Sequence, residues 1–287
     1  MDNILLLDGV SYLYSRGTPF ERRALDEVSV GFARGRITGL IGHTGSGKST
    51  LVGLLNGIYK PDSGRVLLCG EDIWERPKEI SKIRYRVGVV MQYPEYQLFD
   101  ETVRADVGFG PRNLGLSPEE VDARVRDAIR FVGLDENILD KSPFELSGGQ
   151  KRRVAIAGVV AMRPEVLVLD EPAAGLDPRG RREILGGLSA YVKELGGSVI
   201  LVSHSMEDMA YYCDDVVVMK GGKVALSGTV SEVFSNHDAL TDAGLDVPAS
   251  LKIAEALSHH GVSLSGELYT VSGLAEAIAE YGRRADE

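Results

Sequence analysis

Residues 42–49 have the sequence Gly-His-Thr-Gly-Ser-Gly-Lys-Ser, and this segment constrains the fold more than any other part of the 287-residue chain. One glycine, four residues and then Gly-Lys-Ser is the pattern of a phosphate-binding loop. Its glycines let successive backbone N–H groups curl around phosphate oxygens, and the following helix presents its positive end to the same anion. The apolar run Ile37–Ile41 precedes the loop, and a helix is predicted over Lys48–Ile58. The segment therefore predicts a buried strand, a phosphate loop and a helix.

Two side chains of this loop carry chemistry. Lys48 is expected to reach the β and γ phosphates, and Ser49 is expected to ligate Mg²⁺. A glycine-rich turn ahead of a helix is the plain alternative, but a chance match to the whole pattern has odds on the order of one or two per cent. The predicted nucleotide-binding residues here are Gly42, His43, Thr44, Gly45, Ser46, Gly47, Lys48, Ser49 and Thr50.

A second motif is the apolar run Val166–Leu169, which ends in Asp170 and Glu171. Alone, such a strand is as often a core strand whose terminal carboxylates are solvated as it is part of a functional site. Beside a phosphate loop it becomes specific, because the carboxyl ends of neighbouring parallel strands meet at one edge of a sheet. There Asp170 is predicted to hold the Mg²⁺ shell, and Glu171 to orient and deprotonate the attacking water.

The rest of the chain predicts an α/β fold with an inserted helical section over about 93–162 and a helical tail after residue 236. Short apolar runs punctuated by glycines predict strands, and their alternation with helices implies a parallel sheet covered by helices. The predicted strands are Ile4–Leu7, Val28–Phe32, Ile37–Ile41, Val66–Cys69, Val87–Met91, Val166–Leu169, Val199–Val202 and Val216–Met219, and the predicted helices are Lys48–Ile58, Glu119–Val132, 179–195, Pro248–His260 and Ser272–Tyr281.

Composition limits the partners and the location. The 32 Lys and Arg residues are outnumbered by 42 Asp and Glu, and the net charge of -10 argues against nucleic acid or anionic lipid as direct partners. No apolar stretch approaches the roughly 18 to 20 residues that span a bilayer, and the start of the chain has no basic leader. Two cysteines indicate neither a disulfide framework nor a cysteine metal site, so a reducing cytoplasm is expected.

A third motif, Leu-Ser-Gly-Gly-Gln at 146–150, carries a family resemblance. Lying between the phosphate loop and the acidic strand end, it resembles the signature of ATP-binding cassette (ABC) ATPases. It also has the form of a serine-capped helix start, and both interpretations hold, because a capped helix with bare backbone N–H groups binds anions. In that family this helix start faces the γ-phosphate held by the other subunit of a head-to-tail pair. The resemblance implies that Ser147, Gly149 and Gln150 complete a partner's nucleotide site.

Further positions match the cassette pattern one by one. Gln92 resembles the glutamine that contacts Mg²⁺ and the attacking water, and His204 resembles the histidine that touches the γ-phosphate. Tyr14 resembles the aromatic that stacks on adenine. Residues 174–177, Ala-Gly-Leu-Asp, resemble the loop that links the two nucleotide sites, although the family often has Ser-Ala at its start. With ATP and Mg²⁺ as cofactors, the implied catalytic residues are Glu171, His204 and Gln92, and the implied metal ligands are Ser49, Gln92 and Asp170.

The resemblance covers about residues 3–235. It implies a P-loop NTPase fold of ABC type, with a mixed sheet core, an inserted helical subdomain over about 93–162 and a short helical C-terminal tail. The expected domains are an ABC ATPase domain over 1–235 and a C-terminal helical extension over 236–287. The extension is expected to pack on the core and to form part of the interface between ATPases.

Four segments resemble the ATPase subunits of energy-coupling factor (ECF) transporters more narrowly: Gly17–Leu25, Ile41–Ser46, Gln92–Phe99 and Ala243–Pro248. The first of them, with the His-Thr pair of the phosphate loop, is more similar to the second of the two ATPase paralogues. These importers combine two related ATPases with a transmembrane coupling subunit and a small membrane protein that captures a vitamin or a metal ion. The resemblance implies ATP hydrolysis by a peripheral subunit at the cytoplasmic face of the cell membrane.

The implied partners are a paralogous ATPase, the coupling subunit and the substrate-capturing subunit, with no nucleic acid and no direct lipid insertion. A second copy of this chain is the less favoured ATPase partner. Residues 93–99 are expected to dock the transmembrane partner's helices, since they combine aromatic and apolar groups after Gln92; core packing between subdomains is the alternative for them.

Other functions stay open. A cobalt- or nickel-type metal importer would use the same architecture, although the pair His259 and His260 is expected to be surface decoration and not a metal site. A soluble ABC ATPase acting on nucleic acid or ribosomes is disfavoured, because Lys48 and Ser147 lie only 99 positions apart and leave no room for a long coiled coil. A regulatory module without turnover is disfavoured by the presence of Glu171 and His204.

Overall fold

Two β-sheets with helices packed on them form the protein, which a computed structural model describes over residues 2–285. The larger sheet is the predicted one, and the smaller sheet is built from the first part of the chain. In the described residues the strands are β1 (Asn3–Tyr14), β2 (Arg22–Ala33), β3 (Ile37–Ile41), β4 (Ser63–Leu68), β5 (Glu71–Asp72), β6 (Val87–Val90), β7 (Val166–Asp170), β8 (Ser198–Val202), β9 (Asp215–Lys220) and β10 (Lys223–Thr229).

Several helices begin at side-chain caps of residue types that can be recognised in the sequence. Ser117 and Glu120 form a reciprocal capping box, and Ser147 with Gln150 forms another. In residues 2–285 no helix is both long and apolar enough to cross a bilayer. The α-helices described are α1 (Lys48–Leu55), α2 (Ile80–Arg86), α3 (Val103–Asn113), α4 (Pro118–Phe131), α5 (Gly148–Val160), α6 (Pro178–Leu195), α7 (Met206–Tyr212), α8 (Val230–Phe234), α9 (His237–Asp242), α10 (Ala249–His259) and α11 (Val271–Ala285).

The larger sheet has six strands in the order β10-β9-β3-β8-β7-β6. All neighbouring strands from β9 to β6 run parallel, and β10 pairs antiparallel to β9, so the sheet is mixed. Every residue of β3, β7 and β8 is buried, which explains their nearly continuous apolar sequences. Because β3, β6, β7 and β8 are parallel, the loops that follow them emerge at one edge.

The smaller sheet is antiparallel, in the order β2-β1-β4-β5, and it brings the first residues to that same edge. Tyr14 at the end of β1 pairs with Arg22 at the start of β2. The Tyr14 hydroxyl lies 3.1 Å from Thr50 Oγ1 on α1. The hairpin of β1 and β2 thus stands beside the helix that follows the phosphate loop.

The six-stranded sheet separates two hydrophobic cores. On one face Leu167 and Leu169 pack with residues from α3, α4, α5 and α6. On the other face Val166 and Val168 pack with β1, β2 and α1. Alternate residues of a strand point to opposite faces, so one short strand contributes to both cores and is held firmly between them.

The predicted strands and helices all occur, with corrections at their ends. Helix α1 ends at Leu55 and not at Ile58, because Gly57 adopts a left-handed φ of 71°. Strand β4 ends before Cys69, whose φ of 53° leaves the strand conformation. The predicted Ser272 cap is wrong: α11 begins at Val271, and the Thr270 hydroxyl accepts a 3.0 Å hydrogen bond from the Gly273 N–H.

The last helix also extends further than expected. It was predicted to stop at Tyr281, before Gly282, whereas it continues to Ala285. A glycine inside a helix costs only about 1 kcal/mol relative to alanine, which is too little to end it alone. Residues 286–287 of the predicted extension, and residue 1 of the predicted ATPase domain, lie outside the described residues.

Candidate active site

A cavity of about 290 Å³ opens at the shared carboxyl edge of the six-stranded sheet. The loops after β3, β6, β7 and β8 and the hairpin of β1 and β2 all contribute to it. With Arg22 and Ala24 as the two exceptions, every lining residue was predicted as a site residue. The lining comprises Tyr14, Arg22, Ala24, Thr44, Gly45, Gly47, Lys48, Ser49, Thr50, Gln92, Asp170, Glu171 and His204.

Two glycines of the phosphate loop are required by close packing as well as by conformation. Gly42 has a φ of 151°, and a Cβ there would lie 2.4 Å from the Met219 carbonyl oxygen. Gly47 has a φ of 108°, and a Cβ there would lie 2.7 Å from Leu25 Cδ2. Only glycine fits both demands, so the loop's curled backbone depends on these positions.

Three other predicted loop residues, Gly42, His43 and Ser46, are not among the residues that line the described cavity. The Gly42 carbonyl accepts a hydrogen bond from the Lys48 ammonium, and the His43 ring contacts the Thr44 carbonyl through Nδ1 at 2.7 Å. Ser46 is fully buried, and its hydroxyl has no hydrogen-bond partner in the described structure. A buried polar atom without a partner is unusual and marks a place where a polar ligand would be stabilised.

Lys48 is 8% exposed and is the buried cation of the cavity. Its Nζ donates to the carbonyls of Gly42 at 2.5 Å and His43 at 3.1 Å. Burial lowers the pKa of this ammonium, while the nearby carboxylates of Asp170 and Glu171 act in the opposite direction. The lysine is thus held by the loop itself, with its charge only partly compensated.

Asp170 and Glu171 end β7 beside this lysine. Burial raises the pKa of Asp170, and Lys48 and then His204 partly offset that rise. Burial also raises the pKa of Glu171, chiefly opposed by His204. The two carboxylates are therefore adjacent acids in a partly dehydrated pocket, an arrangement typical of functional sites.

Glu171 has an unusual local geometry. Its φ is 51°, and its N–H donates to the Val202 carbonyl at 2.9 Å. Its Oε1 is buried without a hydrogen-bond partner in the described structure and lies 3.7 Å from Nε2 of His204. The His204 side chain is 56% exposed. A buried carboxylate oxygen beside an exposed histidine faces the cavity where a water would react.

Comparison with known proteins identifies the family. Residues 25–174 match the ABC transporter family. The energy-coupling factor transporter ATP-binding protein EcfA2 of Clostridium tetani is 51% identical over 266 residues, covering 92% of each chain. EcfA2 of Clostridium perfringens is 48% identical over 275 residues and 96% of each chain. The chain belongs to the ATP-binding proteins of energy-coupling factor transporters.

A solved structure confirms the fold class of this ABC ATPase. The chain is similar to cbiO1 from Clostridium perfringens, described as part of the ABC transporter complex cbiONQ, with 41% identity and a TM-score of 0.75. The alignment covers 90% of this chain and 100% of the solved one. Both the predicted P-loop fold of ABC type and the resemblance to ECF transporter ATPases are confirmed.

The signature segment of this ATPase lies outside its own cavity. In the described structure none of residues 146–150 lines that cavity. The Gln150 N–H donates to Ser147 Oγ at 3.3 Å, and the Ser147 N–H donates to Gln150 Oε1 at 3.0 Å. The side chains of Ser147 and Gln150 are thus paired with each other in a capping box, and the structure does not bring Ser147, Gly149 and Gln150 to the cavity of the same chain.

Residues 93–99, here called the 93–99 segment, form a short exposed turn after Gln92. The side chain of Tyr96 is 85% exposed, and Phe99 is 60% exposed and packs edge-on against Phe109 at 5.1 Å between ring centroids. Pro94 and Leu98 are buried and anchor the turn. The segment is therefore partly core and partly an exposed aromatic surface.

Sequence reasoning missed two arginines near the site. Arg22 enters the cavity lining because strand pairing sets it opposite Tyr14, and the sequence offers no signal for that contact. Arg152 is buried and donates to the carbonyls of Ala174 and Glu171, the latter at 3.2 Å. In the sequence it stands within three consecutive basic residues, a pattern typical of a solvated helix face.

Proposed function

We propose that this ATPase binds ATP with Mg²⁺ and hydrolyses it to energise an energy-coupling factor importer for vitamins or other micronutrients. One observation carries the proposal: the buried Lys48 and Asp170 and the half-buried Glu171 converge with the phosphate loop on one cavity. The names of the relatives favour a transporter subunit over a soluble ATPase that acts on nucleic acid or ribosomes.

The side chains at this cavity fit a magnesium nucleotide. Ser49, Gln92 and Asp170 offer oxygen atoms, which are the ligands that Mg²⁺ prefers. The loop glycines leave room for phosphate to approach the backbone. When bound, Mg²⁺ would neutralise phosphate charge. In this proposal Tyr14, which lines the cavity, stacks on the adenine ring.

Four residues of this chain have separate roles in the proposed hydrolysis. Lys48 stabilises negative charge on the phosphate oxygens, because it is a buried cation fixed by loop carbonyls. Glu171 accepts a proton from the attacking water at its half-buried carboxylate, and His204 orients that water and the terminal phosphate. Gln92 completes the contacts to water and metal from the loop after β6.

The second half of each nucleotide site would come from another subunit. In this proposal Ser147, Gly149 and Gln150 meet the γ-phosphate held by a paralogous ATPase, whose own signature helix covers the cavity described here. ATP favours the closed pair because its γ-phosphate gains contacts from both subunits only in that state. Hydrolysis removes those contacts and lets the pair open.

The membrane partners would meet the 93–99 segment. Its exposed aromatic side chains are suited to the helices of a transmembrane coupling subunit, which would in turn carry the substrate-capturing subunit. We place the ATPase at the cytoplasmic face of the membrane, attached through protein contacts. We divide the chain into an ABC ATPase domain, 1–235, with its helical subdomain over about 93–162, and a C-terminal helical extension, 236–287.

The proposal is tested by Glu171→Gln in the purified complex with its membrane partners. ATP affinity should stay within about threefold, while phosphate release should fall ~10²-fold or more, because a general base contributes factors of this size. Glu75→Gln, which changes an exposed carboxylate, is the matched control and should leave both values unchanged. Undiminished phosphate release by Glu171→Gln would refute the proposal.

A further inference from the structure

Arg152 is among the few charged side chains that the described structure buries, with 5% of its surface exposed. It lies on α5, five positions after Ser147, and its neighbours Lys151 and Arg153 are only half-buried. A buried guanidinium is costly unless it is paired and hydrogen-bonded, so its partners indicate what it is for.

One side of Arg152 holds the backbone at the proposed general base. Its Nη2 donates to the Glu171 carbonyl at 3.2 Å, and its Nη1 donates to the Ala174 carbonyl. The N–H of Glu171 is tied separately to Val202. Both peptide groups that flank the Glu171 side chain are thus fixed, and together they set the direction in which its carboxylate points.

The other side of Arg152 faces the 93–99 segment. Its Nε lies 3.9 Å from Glu95 Oε2, and its guanidinium carbon lies 5.9 Å from the centre of the Tyr93 ring. Neither Nε nor Oε2 has a hydrogen-bond partner in the described structure, so charge alone draws them together. Tyr93 adopts a left-handed φ of 59° at the start of the segment.

We propose that Arg152 is a positioning residue that couples the 93–99 segment to the backbone of Glu171. This inference rests on the proposed function, which assigns docking to the segment and proton transfer to Glu171. The guanidinium is a rigid plane, so a shift of Glu95 and Tyr93 on docking moves the same group that holds the Glu171 carbonyl. Docking of the membrane partner thereby adjusts the alignment of the general base.

Arg152→Lys tests this in the complete transporter complex. Lysine keeps the charge but loses the planar fork, so it cannot hold both carbonyls while facing Glu95. We expect kcat for ATP hydrolysis to fall about tenfold to a hundredfold, because small misplacements of catalytic groups have effects of this size. The KM for ATP should stay within about threefold, since Arg152 does not line the cavity.

Arg153→Lys is the matched control. Arg153 Nη1 donates to the Gly133 carbonyl at 3.2 Å and to Glu183 Oε2 at 2.8 Å, and in the described residues no hydrogen bond or ion pair joins Arg153 to Glu171 or to the 93–99 segment. It should lower melting temperature as much as Arg152→Lys while keeping kcat within about twofold. Equal kcat for the two variants would overturn the inference.

Glu95→Gln supplies a second test, from the other side of the contact with Arg152. If the two residues work through one contact, the double variant Arg152→Lys with Glu95→Gln should have the same kcat as Arg152→Lys alone, within about twofold. Losses that multiply would show two independent effects and overturn the coupling.

The outcomes also separate this inference from the proposed function. Glu171→Gln is measured in the same preparation. Undiminished hydrolysis by that variant would remove the proposed function itself. Abolished hydrolysis by Glu171→Gln together with an Arg152→Lys variant that behaves like Arg153→Lys would leave the function standing and remove only the positioning role.

Discussion

At the scale of single residues, Glu171 combines three features that protein interiors seldom hold together. Its backbone is left-handed, its side chain is half-buried, and its buried oxygen Oε1 has no hydrogen-bond partner in the described structure. A left-handed non-glycine residue alone costs about 1 to 3 kcal/mol. The surrounding structure maintains this geometry through hydrogen bonds from Arg152 and to Val202. This residue therefore carries a cost in stability.

Because burial disfavours the ionised form of Glu171, we expect Glu171→Gln to stabilise the protein. Burial raises the pKa of Glu171 above its usual value near 4.5, so the folded state holds this proton more tightly than the unfolded state. The contribution of Glu171 to the free energy of unfolding is therefore fully present below pH 4.5 and is lost as the pH rises through the raised pKa. At neutral pH the glutamine should regain about 1 kcal/mol, or roughly 2–4 °C in melting temperature.

The measurement is thermal unfolding of Glu171→Gln and of the control Glu75→Gln at several pH values. The gain should shrink as the pH falls towards 4.5, and the control should show no pH-dependent gain. A constant gain, or none at pH 7, would show that burial does not penalise the ionised form of Glu171.

Sequence reasoning found the residues of the site whose meaning is local, and the match to a known family's pattern added Tyr14, Gln92 and His204. Lys48 follows its glycines directly, and Asp170 and Glu171 directly end an apolar strand, so short spacing was enough. Arg22 and Arg152 gain their meaning from contacts with residues distant in sequence, Arg22 through pairing with Tyr14 and Arg152 through Glu171. Such contacts exist only after the chain folds, and no single sequence displays them.

At the scale of elements, the central strands were predictable because both of their faces are buried. β3, β7 and β8 are apolar at nearly every position and fall between turn signals, so their burial and their sequence agree. β10 was missed because only part of it is shielded: its residues alternate between exposed and half-buried. The short α7, α8 and α9 were missed as well, since five to seven residues give too few turns to show a helical period.

The phosphate loop allows a prediction about an element's backbone. Gly47→Ala should destabilise the protein by about 2 to 3 kcal/mol and sharply weaken ATP binding, because a Cβ there would meet Leu25 and the Ala24 carbonyl at a φ of 108°. Chemical denaturation and nucleotide titration would measure the two effects.

Gly186→Ala is the control from α6. A Cβ at Gly186 has no atom within 4 Å in the described structure, and the residue is exposed within the helix. It should gain about 0.5 to 1 kcal/mol in stability and bind ATP normally. If the two alanine variants behaved alike, the conformational requirement at Gly47 would be wrong.

At the scale of the whole molecule, the cavity and the signature helix are two separate surfaces of one chain. This arrangement predicts that Ser147→Ala lowers hydrolysis in the assembled transporter at any nucleotide concentration, because the serine would act on a site held by the partner. It should also cost about 1 kcal/mol in stability through loss of the helix cap. Phosphate release and thermal unfolding would measure the two effects.

Thr229→Ala isolates the catalytic effect from the structural one. Thr229 and Glu232 form the same kind of capping box at α8, so its loss should destabilise the chain by a similar amount. Turnover should be unaffected by this variant. A turnover as low as that of Ser147→Ala would mean that the signature serine serves only as a helix cap.

In such a transporter, the effect of inactivating substitutions would depend on how many nucleotide sites they disable, and not on how many chains carry them. Lys48 of this chain and the signature helix of its partner would belong to the same site, so losing both costs no more than losing either, and the other site survives. Lys48 and Ser147 of this one chain would belong to different sites, so their joint loss disables both. Two such substitutions in one gene would thus disable more nucleotide sites than the same two divided between the genes of the pair.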